Sequence, residues 1–157
     1  MGEKYEYQHS PSEIAAFESE HRILLPDSYR AYLMEFPWRE GSVLSPLSEW
    51  CQPHMAKQMP DGFLAKPFPH SQAWNETHLF DRTRGWDSEY YAVRYFQGSM
   101  RVFNFGCEEY GLLVVSGPER GNIWIDARVS RQAGIYPMLD SGSSVSFALF
   151  MKMYDKR

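Results

Sequence analysis

The spacing of apolar residues changes once along this chain, after Gly98. Up to Phe36 it follows a helical period; after Gly98, short β-rich runs alternate with glycine-containing turns. Tyr29, Tyr32, Leu33 and Phe36 recur at i, i+3, i+4 and i+7, which predicts an amphipathic helix opened by Pro26, with Asp27 and Ser28 suited to its positive end. Upstream, Ser10-Pro11-Ser12-Glu13 has the chemistry of a helix start: a capping hydroxyl, a proline at the first helical position, and an acid placed for a capping box. Ile14 and Phe17 fall on one face of that helix. Beyond Gly98, "SMRVFNFG", "YGLLVVSG" and "NIWID" predict strands, and the apolar run "LLVV" predicts one covered on both sides. "SGPERGN" is the hairpin link between the last two. "GIYPM" predicts a short edge element, "DSGSS" a polar loop, and "SVSFALFMKMY" a closing helix with Phe147, Phe150, Met151 and Tyr154 on one stripe.

The stretch between the two parts has no clear period. Six of the ten prolines lie from Pro37 to Pro69, so residues 37–70 are expected to be irregular, with a short helix within "LSEWCQPHM". "SQAWNETHLF" reads as another short helix carrying Trp74 and His78 on one face, and "DRTRGWDSEYY" as a loop or helical turn. Helices, then consecutive antiparallel strands, then a helix make an α+β fold, read as a single domain over 1–157.

Composition supports a folded core: 43% of residues are hydrophobic, 23% charged and 16% aromatic, the last high enough to supply interface anchors as well. The net charge of −4 is uneven, with nine acids against four bases in residues 1–50 and eleven against twelve in the remainder. That is not the basic footprint of a nucleic-acid binder. It leaves an acidic face able to steer a basic partner. No apolar run reaches membrane-spanning length and the polar start lacks the order of a secretion signal, so a cytoplasmic location is expected, with Cys51 and Cys107 reduced and packed as small hydrophobes.

Catalytic motifs are missing. "GPERGN" lies between strands and lacks the lysine of a phosphate loop, and neither Gly-x-Ser-x-Gly nor His-Glu-x-x-His occurs. Cys51-Gln-Pro-His54 is half a zinc site without a second half, so the five histidines are expected at the surface or as caps, and no metal or cofactor is expected. Glu108 and Glu109, with Asp126, are the only candidate acid–base set. On a strand, however, neighbouring residues face opposite ways, and in a turn they are solvated. Alternation in "NIWID" puts Ile123 and Ile125 on one face and Asn122, Trp124 and Asp126 on the other. If the isoleucines face the core, Trp124 is covered by a helix or open to a partner.

Taken in order, these features resemble the SUKH superfamily, the group of Smi/Knr cell-wall regulators and bacterial toxin-immunity proteins. The resemblance rests on Ile14, Phe17-Glu18, Leu25-Pro26 and the Tyr29–Phe36 helix. It continues through "GCEEYGLLVVSGPERGNIWIDARVSRQAGIYPM" and the closing "SFALFMKMY". It covers residues 12–36 and 86–155, and departs from the pattern at Glu108-Glu109, where relatives often carry another glycine. It implies an α+β domain with an antiparallel sheet packed by N-terminal helices and a C-terminal one. The implied role is non-catalytic: a cytoplasmic protein, monomer or homodimer, that binds and neutralises a toxin domain such as a nuclease, with no catalytic residues to carry over. Glu108, Glu109, Asp126, Trp124, Trp86 and Asp87 are the expected partner-binding residues. A regulatory domain with an endogenous protein partner is the alternative. A small hydrolase using Glu108, Asp126 and a histidine ranks last.

Overall fold

The computed structural model describes residues 6–52, 55 and 58–154. Helix α1 runs Pro11–His21 and α2 Asp27–Glu35. The Ser10 hydroxyl caps α1, accepting from the Glu13 N–H at 3.1 Å, a contact worth about 1 kcal/mol in comparable helices. Glu13 does not close a capping box. Its carboxylate turns aside to accept from the Tyr7 hydroxyl. Arg22, left-handed at φ 56°, ends α1 and redirects the chain so that Ile23 and Leu25 bury while Leu24 faces out. The Glu18 carboxylate then accepts from the Leu25 N–H at 2.7 Å and from the Arg30 guanidinium at 2.6 Å, latching α1 to α2. This gives the Phe17-Glu18 and Leu25-Pro26 pairs a mechanical reason.

A two-residue strand, β1 (Glu6–Tyr7), pairs with β2 (Trp38–Arg39) beside these helices. The main sheet is an antiparallel meander of β3 (Ser99–Gly106), β4 (Glu109–Val114), β5 (Ile123–Ala127) and β6 (Gly134–Pro137), in that order. Leu112, Leu113, Val114 and Val115 are all buried, as the unbroken apolar run of this inner strand requires. Helix α3 (Phe147–Tyr154) starts where the Ser146 hydroxyl accepts from the Leu149 N–H. "DSGSS" is not simply a loop, because Leu139–Asp140 and Ser143–Ser144 pair as a small hairpin, β7–β8.

The two faces of the meander are covered differently. On one, α2 and α3 bring rings onto the sheet: Phe147 packs against Tyr29 and Tyr32, and Phe150 stacks on Phe103 with centroids 4.5 Å apart. Phe103 in turn lies over Gly111, where an added Cβ would come within 1.9 Å of the ring. On the other face there is no long helix among the described residues. Single 3₁₀ turns, Phe63–Ala65, Thr77–Leu79, Gly85–Asp87, Glu89–Tyr91 and Val93–Phe96, are joined by extended chain.

The expected helix at "SQAWNETHLF" is therefore replaced by extended chain and one turn. Trp74 forms a two-bond bridge to Ile135 on the outer edge of β6, at 2.7 and 2.9 Å, and stacks on Tyr90 and Tyr95. These edge hydrogen bonds and ring contacts outweigh a weak local helical pattern. The opposite edge is partly closed as well, since Ser45 N–H donates to Val102 and Arg101 N–H to Trp50. Closing both edges protects the sheet from pairing with other chains.

Candidate functional site

Register decides what meets on the irregularly covered face. Tyr110 pairs with Asp126, Leu112 with Trp124, and Arg101 with Leu112, so Arg101, Tyr110, Asp126 and Trp124 share that face. The alternation expected for "NIWID" holds, but the cover over Trp124 is neither a helix nor a partner. Phe68 packs against the Trp124 indole at 4.9 Å with His70 beside it, its N–H reaches Glu119 at 3.3 Å, and only 1% of the residue is exposed. Trp124 is core and offers no contact surface.

Asp126 is also buried, in a pair that uses both of its oxygens. Arg128 donates from Nε to Oδ1 at 2.9 Å and from Nη2 to Oδ2 at 2.8 Å. The remaining Arg128 nitrogen, Nη1, donates to the carbonyls of Tyr90 and Ala92 at 3.2 and 2.9 Å, pinning the 3₁₀ segment to the end of β5. Burial pushes the Asp126 carboxyl up, but the charge and hydrogen bonds of Arg128, helped by Arg101, outweigh it and hold the group below the usual carboxylate range. Asp126 is a structural anchor, which removes it both from the expected partner surface and from general-base duty.

Next to this pair opens a cavity of about 450 Å³ whose wall includes Gln52, Trp86, Tyr91, Arg101, Glu108 and Asp126. Three of the sequence-derived candidates, Trp86, Glu108 and Asp126, thus meet at one place. Trp86 is 65% exposed and tilts against Tyr91 with centroids 4.6 Å apart, and these two rings also border two neighbouring depressions. Asp87 borders one of those depressions rather than the cavity. Glu109 opens β4 and is half-buried, and its charge adds to burial in raising the Tyr136 phenol. Glu108 and Glu109 do not act as a pair.

Glu108 reaches the cavity from a strained turn. The β3–β4 hairpin closes through Cys107 and Glu108, both left-handed at φ 53° and 60°, where two-residue turns favour Asn-Gly. Cys107 is exposed there and not packed as expected, whereas Cys51 is buried and its thiol is pushed up by burial.

Arg101, Arg128 and Tyr110 are the residues missed from sequence. A charge flanked by Met100 and Val102 in a β-run, and an Asp-x-Arg spacing that places both side chains on one strand face, were the available signals. Arg101 differs sharply from Arg128. Its guanidinium lies 4.0 Å from the Tyr110 ring centroid and 5.3 Å from that of Phe96, and Gln52 donates to the Tyr110 hydroxyl from the cavity side. Yet Nε and Nη1 are buried without a hydrogen-bond partner, and among the described residues no carboxylate lies within ion-pair distance of it. Burial draws the guanidinium below its ordinary value, against the attraction of Asp126 and Tyr110.

The histidines correct a further expectation. His9 and His70 are buried, not surface or end caps. His9 Nε2 accepts from the Leu47 N–H at 3.1 Å, and His70 Nε2 lies 2.7 Å from the Tyr95 carbonyl. Burial lowers both. His54, and with it the Cys51–His54 spacing, lies outside the described residues. Among the described residues no three of His, Cys, Asp and Glu gather as metal ligands, and no helix is long and apolar enough to cross a membrane. Comparison with known proteins gives no match: no family model fits the chain, and no curated protein and no solved structure is significantly similar to it.

Proposed function

We propose that this chain is a non-catalytic protein-binding domain, and that its partner is a toxin domain which it neutralises by occlusion, as the SUKH resemblance implies. The observation that carries the reading is exposed Trp86, tilted against half-buried Tyr91, at the border of the arginine-lined cavity and two neighbouring depressions. Trp, Tyr and Arg are the residue types that dominate binding energy at protein interfaces. In the first third, Glu6, Glu18 and Asp27 pair with Arg39 and Arg30 within the fold, so the negative charge left for recognition is carried by the other acids of that segment.

Co-expression with each product of the neighbouring genes, assayed for toxicity to the host, tests the proposal. The expected outcome is protection of the host and a complex that co-purifies, with Trp86→Ala weakening binding by tenfold or more while leaving the melting temperature unchanged. A complex with an endogenous protein in place of a toxin would favour the regulatory alternative. Protection by W86A equal to that of the unmodified chain would move the interface elsewhere.

A further inference from the structure

We propose that the cavity beside Trp86 is a socket for a carboxylate: an acidic side chain of the partner enters it, pairs with Arg101, and packs its aliphatic stem against Tyr91. The other arginines enclosed by this fold already have acids, Arg128 with Asp126 and Arg30 with Glu18. Arg101 has none among the described residues, and two of its nitrogens are buried without partners. A guanidinium withdrawn from water with no acid hydrogen-bonded to it is unfavourable, the more distant Asp126 offsets only part of that cost, and an incoming anion relieves the rest. The group is also held in place, stacked by Tyr110 and Phe96, so little side-chain entropy is lost on pairing.

A carboxylate fits better than a phosphate. The planar fork of arginine matches two carboxylate oxygens, whereas a phosphate group brings close to two negative charges toward a wall that already holds Asp126 and Glu108. Exposed Trp86 and Arg101 line the same cavity, so a residue projecting from a protein docked on that ring is directed toward Arg101. The inference rests on the protein-binding reading for the bearer of the carboxylate; the socket itself does not depend on it.

The test uses the full-length, ¹⁵N-labelled protein titrated with the α-amide of N-acetyl-glutamate, and in parallel with its glutamine analogue and with inorganic phosphate. A saturable shift of the Arg101 Nε–H signal with the glutamate probe alone is expected. Glu108→Gln tightens that probe by roughly two- to fivefold by removing a repulsive neighbour. Arg101→Met, which lacks that reporter, abolishes the accompanying shift of the Tyr110 backbone N–H beside it and melts at the same temperature as the unmodified chain or higher, because a buried charge without a hydrogen-bonded acid has been removed; Arg39→Gln leaves both shifts intact. No saturable shift, or an equal shift with the glutamine analogue or phosphate, overturns the socket. With a captured toxin in hand, R101M is expected to weaken the complex by tenfold or more. An unchanged Kd overturns the socket and leaves the protein-binding reading standing. A glutamate-responsive cavity in a chain that captures no toxin supports the socket and removes the toxin.

Discussion

The two faces of the meander solve the same problem with different materials. The helix-covered face buries Met100, Phe103, Leu113 and Ile123 under rings from α2 and α3, and packing suffices there. The other face carries Arg101, Tyr110 and Asp126 among its apolar residues, and a helix has few free backbone groups to offer them. Broken 3₁₀ chain does have free carbonyls, and Tyr90 and Ala92 use theirs on Arg128. A polar sheet face thus calls for an irregular cover, and the irregular cover is where a cavity forms.

The largest expected effects set the faces against each other. Phe150→Ala and Asp126→Ala should each cost about 3–5 kcal/mol in urea denaturation, the first through a cavity and the second by leaving Arg128 buried and unpaired. They should part company in acid. The Asp126 carboxyl is held below its ordinary 3.8, so its contribution is present above that value and lost as pH falls through the folded-state value. The D126A deficit should therefore shrink in acid while the F150A deficit persists; equal pH profiles would dissolve the distinction.

Gly111→Ala tests the helix-covered face more finely. Its Cβ would overlap the Phe103 ring, so displacement of Phe103 from Phe150 should cost about 1–3 kcal/mol. At the cavity rim the sign reverses. Replacing Cys107-Glu108 by Asn-Gly should stabilise by about 1–2 kcal/mol, read as a higher urea midpoint at unchanged slope, because the turn no longer forces two ordinary residues left-handed.

The mildest effect is a pH dependence spread over the molecule. Burial lowers His9 and His70 in the fold, so below about 6.5 the unfolded chain binds more protons and stability falls as pH drops toward the folded-state values. The urea midpoint should decline from pH 7 to pH 5, and His9→Gln should flatten part of that decline.

Sequence and structure agree where the determinants are local. The Ser10 cap, the Pro26 break, the apolar run of β4 and the Phe147–Phe150 stripe each depend on neighbours within a turn or a strand, and each is found as expected. The cover of the polar face was not legible, because its anchors are side-chain bonds from Arg128 to carbonyls some three dozen positions earlier, which leave no period. The site was half legible. Trp86 and Glu108 stood out by chemistry; Arg101 did not, since its meaning comes from two buried nitrogens that find no hydrogen-bond partner among the described residues.

The Arg128 anchor also orders events during synthesis. Residues 63–96 leave the ribosome before the strand end that carries Asp126 and Arg128, so their rings wait without a surface to settle on. That nascent stretch, rich in Trp, Tyr and Phe, stays without its anchor until Arg128 has been made.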